Sequence, residues 1–320
     1  MASIVEDMCE GELMGTTVGR VVSVDRGYPL VLTDEGEQRA QHTIELVKNT
    51  DIRAVVGDLV ELECPLGQDT PLITAIKERR NVLSRRVLVE SRSEGSGKYN
   101  EQILAANIDL VFVVVALSRQ RIDLNYLERQ LVMAHQSGAR VVIVLTKSDA
   151  APHLEGDLAA VKSIADECPV IVTSTVSKTG LVEIVELVVE GQIGVLLGRS
   201  GVGKSTLINE LLGAPLLQTG TVRDKDHAGR HTTVARKLIY LPNGGALIDA
   251  PGLRSLGLYD AADGLAATFP EIASRAQDCR FRDCTHSGEA GCAVAVATMQ
   301  GLIDNRRLDS YRNLAAEVFA

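Results

Sequence analysis

The chain has 320 residues, 33 Lys plus Arg against 42 Asp plus Glu for a net charge of −9, and 45% hydrophobic residues. That length suits about two ordinary domains, and that apolar share excludes a disordered chain. The longest unbroken apolar run, LVFVVVAL at 110–117, is far short of the roughly 20 residues a spanning helix needs, so no membrane role is expected. The acidic start MASIVEDMCEGEL lacks the plan of a secretory signal. Six cysteines, three of them within 279–292, do not look like a secreted disulfide framework. The expectation is a soluble cytoplasmic protein with reduced thiols.

Residues 1–80 carry 8 basic and 15 acidic side chains, the reverse of a generic nucleic-acid binder. Residues 16–76 alternate in period two, with Gly, Pro and Asp between short runs, which predicts a small barrel or sandwich. The polar tract 79–100 reads as a linker or loop. From about 105 the texture changes. Apolar strands at 109–116, 141–145, 170–173, 193–197 and 246–248 alternate with helical patterns at 124–137, 154–167, 180–190 and 206–212. Alternation of this kind predicts a mostly parallel sheet with helices on both faces. A short Cys-bearing region follows 260, and the chain ends in a polar helix near 303–318.

Gly198, Arg199, Ser200, Gly201, Val202, Gly203, Lys204 and Ser205 fit G-x4-G-K-[ST] in full, after a predicted strand and before a predicted helix that opens at Thr206. In that context the glycines let backbone N–H groups converge on phosphate oxygens at a helix N-terminus. Lys204 can reach the β- and γ-phosphates, and the Ser205 hydroxyl can ligate Mg²⁺. Asp249, at the end of a strand and followed by Ala250, Pro251 and Gly252, is placed to hold that metal through water. Gly252 can turn its N–H toward the γ-phosphate.

The loop does not choose a base; Thr146, Lys147, Ser148 and Asp149 do. A carboxylate accepts hydrogen bonds from both N1–H and the exocyclic amine of guanine, and adenine offers neither there. Ser174 and Thr175, after the next strand, would complete the pocket with backbone N–H groups. In Ras-like GTPases the phosphate loop comes first and the base motif last. Here the base motif (146–149) and the Ser motif (174–175) precede the phosphate loop (198–205) and the acid (249–252), and a circular permutation explains this order without changing the fold.

Cys279, Cys284, His286 and Cys292 supply three thiolates and an imidazole within fourteen residues. A disulfide would leave an odd cysteine, and the histidine favours Zn²⁺ over an iron–sulfur cluster. Four protein ligands make a closed, structural zinc site.

The permuted order, the 198–206 loop, the run Gly229, Arg230, His231, Thr232 and Thr233, and the Cys/His spacing together resemble the RsgA (YjeQ) family of circularly permuted GTPases. The resemblance implies an OB-fold barrel over 1–80, a permuted GTPase domain over 81–262 and a zinc-binding domain over 263–320. It further implies GTP hydrolysis stimulated by the small ribosomal subunit, a role in late maturation of that subunit, and contact with rRNA. Thr232 or Thr233 would then be the switch threonine on Mg²⁺. Thr146 stands where Asn is commonest, and Ala250 where Thr is common.

Leu253 occupies the place of the water-orienting Gln of Ras-like enzymes, so intrinsic hydrolysis is expected to be slow. His231, beside the switch threonines, is the candidate replacement. Residues 1–80 offer only Tyr28 as an aromatic platform, so their contacts would run through Arg26, Arg53, Arg79 and Arg80 or be made to ribosomal protein. The basic run 219–240 and Arg275, Arg280 and Arg282 are better placed for phosphate. A monomer is expected. A small-molecule P-loop kinase, or a binding module with a vestigial nucleotide site, are the alternative readings.

Overall fold

The computed structural model describes residues 16–50, 52–65, 67–89, 98–217, 236–249 and 257–319. The chain divides into two compact units, Met1–Arg79 and Arg80–Ala320.

The first unit is a sheet of short strands. They are β1 (Thr17–Asp25), β2 (Tyr28–Thr33), β3 (Gly36–Arg39) and β4 (Gln41–His42), then helix α1 (Ile44–Thr50), β5 (Leu59–Glu63) and β6 (Leu72–Ile76). The spatial order is β3-β2-β1-β5-β6-β4, antiparallel except for the β4–β6 pair. Arg26 and Gly27, at φ 49° and 86°, make the two-residue turn between β1 and β2. Positive φ at both central positions suits the right-handed twist of a hairpin. The inward residues Val21, Val31, Val60, Leu62 and Ile73 form this unit's core. Arg79 is committed to the fold: it donates to both oxygens of the buried Asp58 at 2.8 Å.

The second unit opens with β7 (Val82–Val89) and β8 (Lys98–Ala106), an antiparallel pair. This corrects the linker reading of 79–100 over 82–89 and 98–100, the residues 90–97 lying outside those described. The charges on β7 mask its pattern, while Leu83 and Leu104 are fully buried. Arg80 also serves the fold, donating to Asp109 at 3.0 Å and to the Asn107 carbonyl at 3.1 Å.

The nucleotide-binding pattern is carried by β9 (Leu110–Ala116), α2 (Leu124–Gln136), β10 (Arg140–Thr146), a 3₁₀ turn (Ser148–Ala150), α3 (Leu154–Ala165) and β11 (Val170–Val172). It continues through α4 (Leu181–Leu187), β12 (Ile193–Leu197), α5 (Lys204–Leu212), β13 (Lys237–Tyr240) and β14 (Ala246–Asp249). The strand order is β11-β10-β9-β12-β14-β13, parallel except for β13. Leu110, Phe112 and Val114 of β9 pack with Val142, Leu196 and Leu247 against Ile184 of α4 and Leu207 of α5. The alternate residues Val111 and Val113 are equally buried, as a strand covered on both faces requires.

Chain order runs from β9 outward through β10 to β11, then returns to the other side of β9 at β12. That reversal is a topological switch point, and ligands bind beyond the carboxyl ends of strands there. The C-terminal region is helical: α6 (Ala262–Thr268), α7 (Pro270–Ala276), α8 (Ala293–Met299) and α9 (Asn305–Val318). Among the described residues no helix is long and apolar enough to cross a membrane.

Candidate functional site

Strand register brings the separate motifs to one edge. Thr146 pairs with Ala116, Leu197 with Val113, and Leu196 with Asp249. The carboxyl ends of β10, β12 and β14 therefore lie side by side, although their motifs span more than a hundred residues of chain.

The loop after β12 can be built only from its own residues at two points. A Cβ at Gly198 would sit 2.5 Å from the Val114 carbonyl oxygen, so the loop leaves the sheet where only glycine fits. Gly203 caps α5 at φ 103°, in the left-handed region. Lys204, the first residue of α5, is buried and folds back to donate to the Gly198 and Arg199 carbonyls at 2.8 and 3.0 Å. Burial lowers its pKa from the ordinary lysine value, and the Asp249 carboxylate works against that. Ser205 is half-buried and donates to Asp249 Oδ2 at 3.0 Å. Arg199, Ser200, Gly201 and Thr206 are exposed on the loop and first turn, and Val202 is half-buried.

Asp249 is buried at the end of β14, and burial raises its pKa; the Ser205 bond and Lys204 charge pull the other way. Its Oδ1 is buried with no hydrogen-bond partner among the described residues. Buried polar atoms are almost always paired. A hard cation beside Ser205 and Asp249 would satisfy that oxygen, so the residues fit Mg²⁺.

On the base side, Lys147 takes a left-handed φ of 61° and its Nζ donates to the Gly201 carbonyl at 2.8 Å. Ser148 opens the 3₁₀ turn, and its amide donates to the Thr173 carbonyl at 3.1 Å. Asp149 is exposed, with its Oδ1 accepting from the Ser174 hydroxyl at 2.5 Å. That hydroxyl also accepts from the Val176 and Ser177 amides at 3.1 Å, which fixes it under the carboxylate. Thr175 is half-buried beside it. The Thr146 hydroxyl donates to the Val202 carbonyl at 2.6 Å, a tie between base motif and phosphate loop that the sequence did not reveal. His231, Thr232, Thr233 and Gly252 lie outside the described residues.

The four ligand atoms of Cys279, Cys284, His286 and Cys292 lie within 4.8 Å of one another. Cys279 and Cys292 sulfurs are 3.9 Å apart, and His286 Nδ1 is 3.6 and 3.5 Å from them. Tetrahedral zinc with ordinary bond lengths spaces sulfurs by about 3.8 Å and sulfur from nitrogen by about 3.6 Å. The donor set and its spacing fit zinc. Cys292 doubles as the N-cap of α8, accepting from the Ala295 amide at 3.3 Å. Glu289 shapes the loop that carries His286, accepting from the Thr285 hydroxyl and amide at 2.6 and 2.7 Å and from the Ser287 amide at 2.7 Å. Those bonds, the Thr285 hydroxyl foremost, hold its carboxyl down at about 2.

Residues 76–259 match the family model of the RsgA GTPase. A relative from Streptomyces coelicolor, the small ribosomal subunit biogenesis GTPase RsgA, is 43% identical over 307 residues, covering 95% of this chain and 81% of its own length. The chain belongs to the RsgA GTPase family. A family member from Methanosarcina acetivorans bearing the same name is 41% identical over 264 residues, covering 82% of this chain and 69% of its own length. Two solved structures share the fold. YjeQ from Thermotoga maritima superposes with a TM-score of 0.71 over 96% of this chain and 99% of its own, at 24% identity. YloQ, described as a circularly permuted GTPase, gives a TM-score of 0.64 over 97% and 98%, at 22% identity. As a member of this family, the chain is a GTP hydrolase.

Proposed function

We propose that this chain hydrolyses GTP as a factor in the biogenesis of the small ribosomal subunit, acting late in maturation with the subunit as its stimulator. The convergence at one sheet edge of the phosphate loop, the Asp149–Ser174 pair and the buried Asp249 carries the nucleotide half of this reading. The names borne by its relatives support the ribosomal half.

In this reading Asp149 accepts from guanine N1–H and the exocyclic amine, with Ser174 and Thr175 closing the pocket. The loop amides from Gly198 to Thr206 receive the phosphates at the α5 N-terminus. Lys204 exchanges its two carbonyl partners for β- and γ-phosphate oxygens. Ser205 and Asp249 hold Mg²⁺, which when bound neutralises charge on those oxygens. Thr232 or Thr233 is the switch threonine that joins Ser205 on Mg²⁺, Gly252 turns its N–H toward the γ-phosphate, and His231 orients the attacking water. Zinc held by Cys279, Cys284, His286 and Cys292 staples the C-terminal domain.

We read residues 1–80 as an OB-fold barrel, 81–262 as the GTPase domain and 263–320 as the zinc domain, in a cytoplasmic monomer. Arg275, Arg280 and Arg282 meet rRNA phosphate. The deciding measurement is phosphate release from GTP and from ATP, with and without purified small subunits. GTP-selective turnover that rises with small subunits is expected. ATP preference, or turnover indifferent to the subunit, refutes the reading.

A further inference from the structure

A run of contacts leads from the phosphate loop through α2 to the C-terminal helix. At one end stands Arg199, the second residue of the phosphate loop. Its carbonyl accepts from Lys204 Nζ, while its guanidinium lies 3.6 Å above the Tyr126 ring and 3.9 Å from the Asp123 carboxylate. Asp123 is the N-cap of α2, accepting from the Tyr126 amide at 3.1 Å. The Arg199 side chain is thus spent on the first turn of α2, where cation–π attraction and the carboxylate hold it.

One turn further along, α2 is fastened to the C-terminal helix. Glu128, fully buried, receives Arg306 in a bidentate pair at 2.8 and 2.9 Å and Arg307 at 2.9 Å. Its neighbour Arg129 pairs with Glu317 at 2.6 Å. Glu317 is held in turn by the segment that precedes α6. Its Oε1 accepts from the Leu258 amide at 3.0 Å, and its carbonyl accepts from Arg86, whose own amide donates to the Gly257 carbonyl at 2.8 Å. Gly257 and Leu258 stand eight and nine residues after Asp249.

From these contacts we infer that α2 is a brace through which the C-terminal helix sets the geometry of the phosphate loop, with Arg199 and Glu317 as positioning residues at its two ends. The inference rests on the nucleotide reading of that loop. Three features favour a brace over incidental packing. Arg199 is more than half exposed, so its side chain is not needed to fill a core. Glu128 is fully buried and charge-paired, and breaking that pairing deprives Arg306 of its carboxylate. Between α2 and the C-terminal helix the Glu128 and Glu317 links are charged contacts of 2.6–2.9 Å joining two helices, the kind of connection that transmits a small displacement.

The test is release of a fluorescent GDP analogue from the full-length chain in Mg²⁺, together with KM and kcat for GTP. Arg199→Ala is expected to accelerate release about threefold or more, and Arg199→Lys, which keeps a cation over the ring, to restore most of it. Glu317→Ala, on the far helix, is expected to shift release in the same direction, with its effect falling on KM more than kcat. The double variant is expected to release no faster than the larger single. Should Glu317→Ala not fold, Glu317→Gln carries the same comparison, because it keeps an acceptor for the Leu258 amide and loses only the charge. Wild-type release from the Glu317 variant, or a double variant whose acceleration is the product of the two singles, overturns the brace alone. A wild-type chain that retains no guanine nucleotide overturns the nucleotide reading and the brace with it.

Discussion

Thr146 donates its hydroxyl proton to the carbonyl of Val202 at 2.6 Å, tying the strand that leads to the base motif directly to the phosphate loop. The same hydroxyl lies 3.4 Å from the Val115 carbonyl. A threonine here therefore connects the base motif to the phosphate loop. Thr146→Val keeps the shape and removes the donor, leaving the Val202 carbonyl unmatched. A hydrogen bond of this kind contributes about 1 kcal/mol, so GDP affinity is expected to fall about fivefold. Because the contact serves the loop, ADP affinity should not rise in compensation. A calorimetric titration with both nucleotides decides it: a gain in ADP binding would assign Thr146 to base choice instead.

Asp149 presents Oδ1 to the Ser174 hydroxyl, which leaves Oδ2 to a ligand. Asp149→Asn replaces one acceptor with a donor, which opposes the amine of guanine. Xanthine carries a carbonyl in that place. The variant is expected to lose about a hundredfold or more in GDP affinity, the scale set by leaving a buried polar group of the site unpaired, and to recover binding with xanthosine diphosphate. Equal loss for both nucleotides would show that Asp149 shapes the loop and does not read the base.

Much of this site could be read from spacing alone, for a physical reason. The turn into α5 needs a left-handed backbone at Gly203 from its own local geometry, so the loop advertises itself locally. The same holds for Cys279, Cys284, His286 and Cys292, which lie within one short loop. The strands that bury both faces were visible as apolar runs. What stayed hidden depends on partners distant in the chain. The β7–β8 pair joins Val82 to Ala106 across a charged tract, and its register is set by the partner strand more than by its own residues. The Glu128 cluster joins residues 178 and 179 positions apart, and nothing near Glu128 in the sequence marks it as buried.

Asp249 is raised in pKa by burial, which makes its ionised form a cost to the nucleotide-free fold. Sign matters here. With the folded value above the unfolded one, the folded state holds the proton longer, so stability falls as pH rises from the ordinary carboxylate value through the raised one. Asp249→Asn removes that cost while keeping an acceptor for Ser205. The D249N chain is expected to melt about 2–4 °C higher at pH 7 without nucleotide, with the advantage vanishing below the ordinary carboxylate pKa. It is expected to lose Mg²⁺-dependent nucleotide binding at the same time. Melting curves across pH, with and without GDP and Mg²⁺, read both effects; a lower melting point at pH 7 would contradict the account.

Glu128 accepts three hydrogen bonds from Arg306 and Arg307 while fully buried. Arg307 keeps Glu271 and the Thr268 carbonyl if Glu128 is lost, but among the described residues Arg306 keeps a hydrogen bond only to Asn125. Glu128→Ala is expected to destabilise the second unit by about 1–3 kcal/mol, less than stranding a fully buried charge because the Arg306 side chain is partly exposed. Limited proteolysis should then cut within 305–318 before it cuts the sheet. Replacing Glu128, Arg306 and Arg307 together with apolar residues should cost much less than Glu128→Ala alone, because no charge is stranded. Urea unfolding of both variants measures the difference, and equal losses would mean that packing, and not charge, fixes the helix.

Glu289 is not among the four clustered ligands, yet three of its hydrogen bonds shape the turn on which His286 sits at a left-handed φ of 61°. Glu289→Ala frees the Thr285 and Ser287 amides and lets that turn relax, so the imidazole loses its fixed approach to the sulfurs. Groups that orient metal ligands typically change metal affinity by about ten- to a hundredfold when removed. The purified chain is expected to carry one zinc. The E289A chain is expected to yield it to a competing chelator at about a tenfold lower chelator concentration, while Cys284→Ser should abolish stoichiometric zinc outright. Metal analysis after chelator titration tests both at once. Unchanged retention in E289A would show that the cysteines alone set the site, and a metal-free wild type that melts like the metal-loaded one would remove the zinc from the stability of α8 and α9.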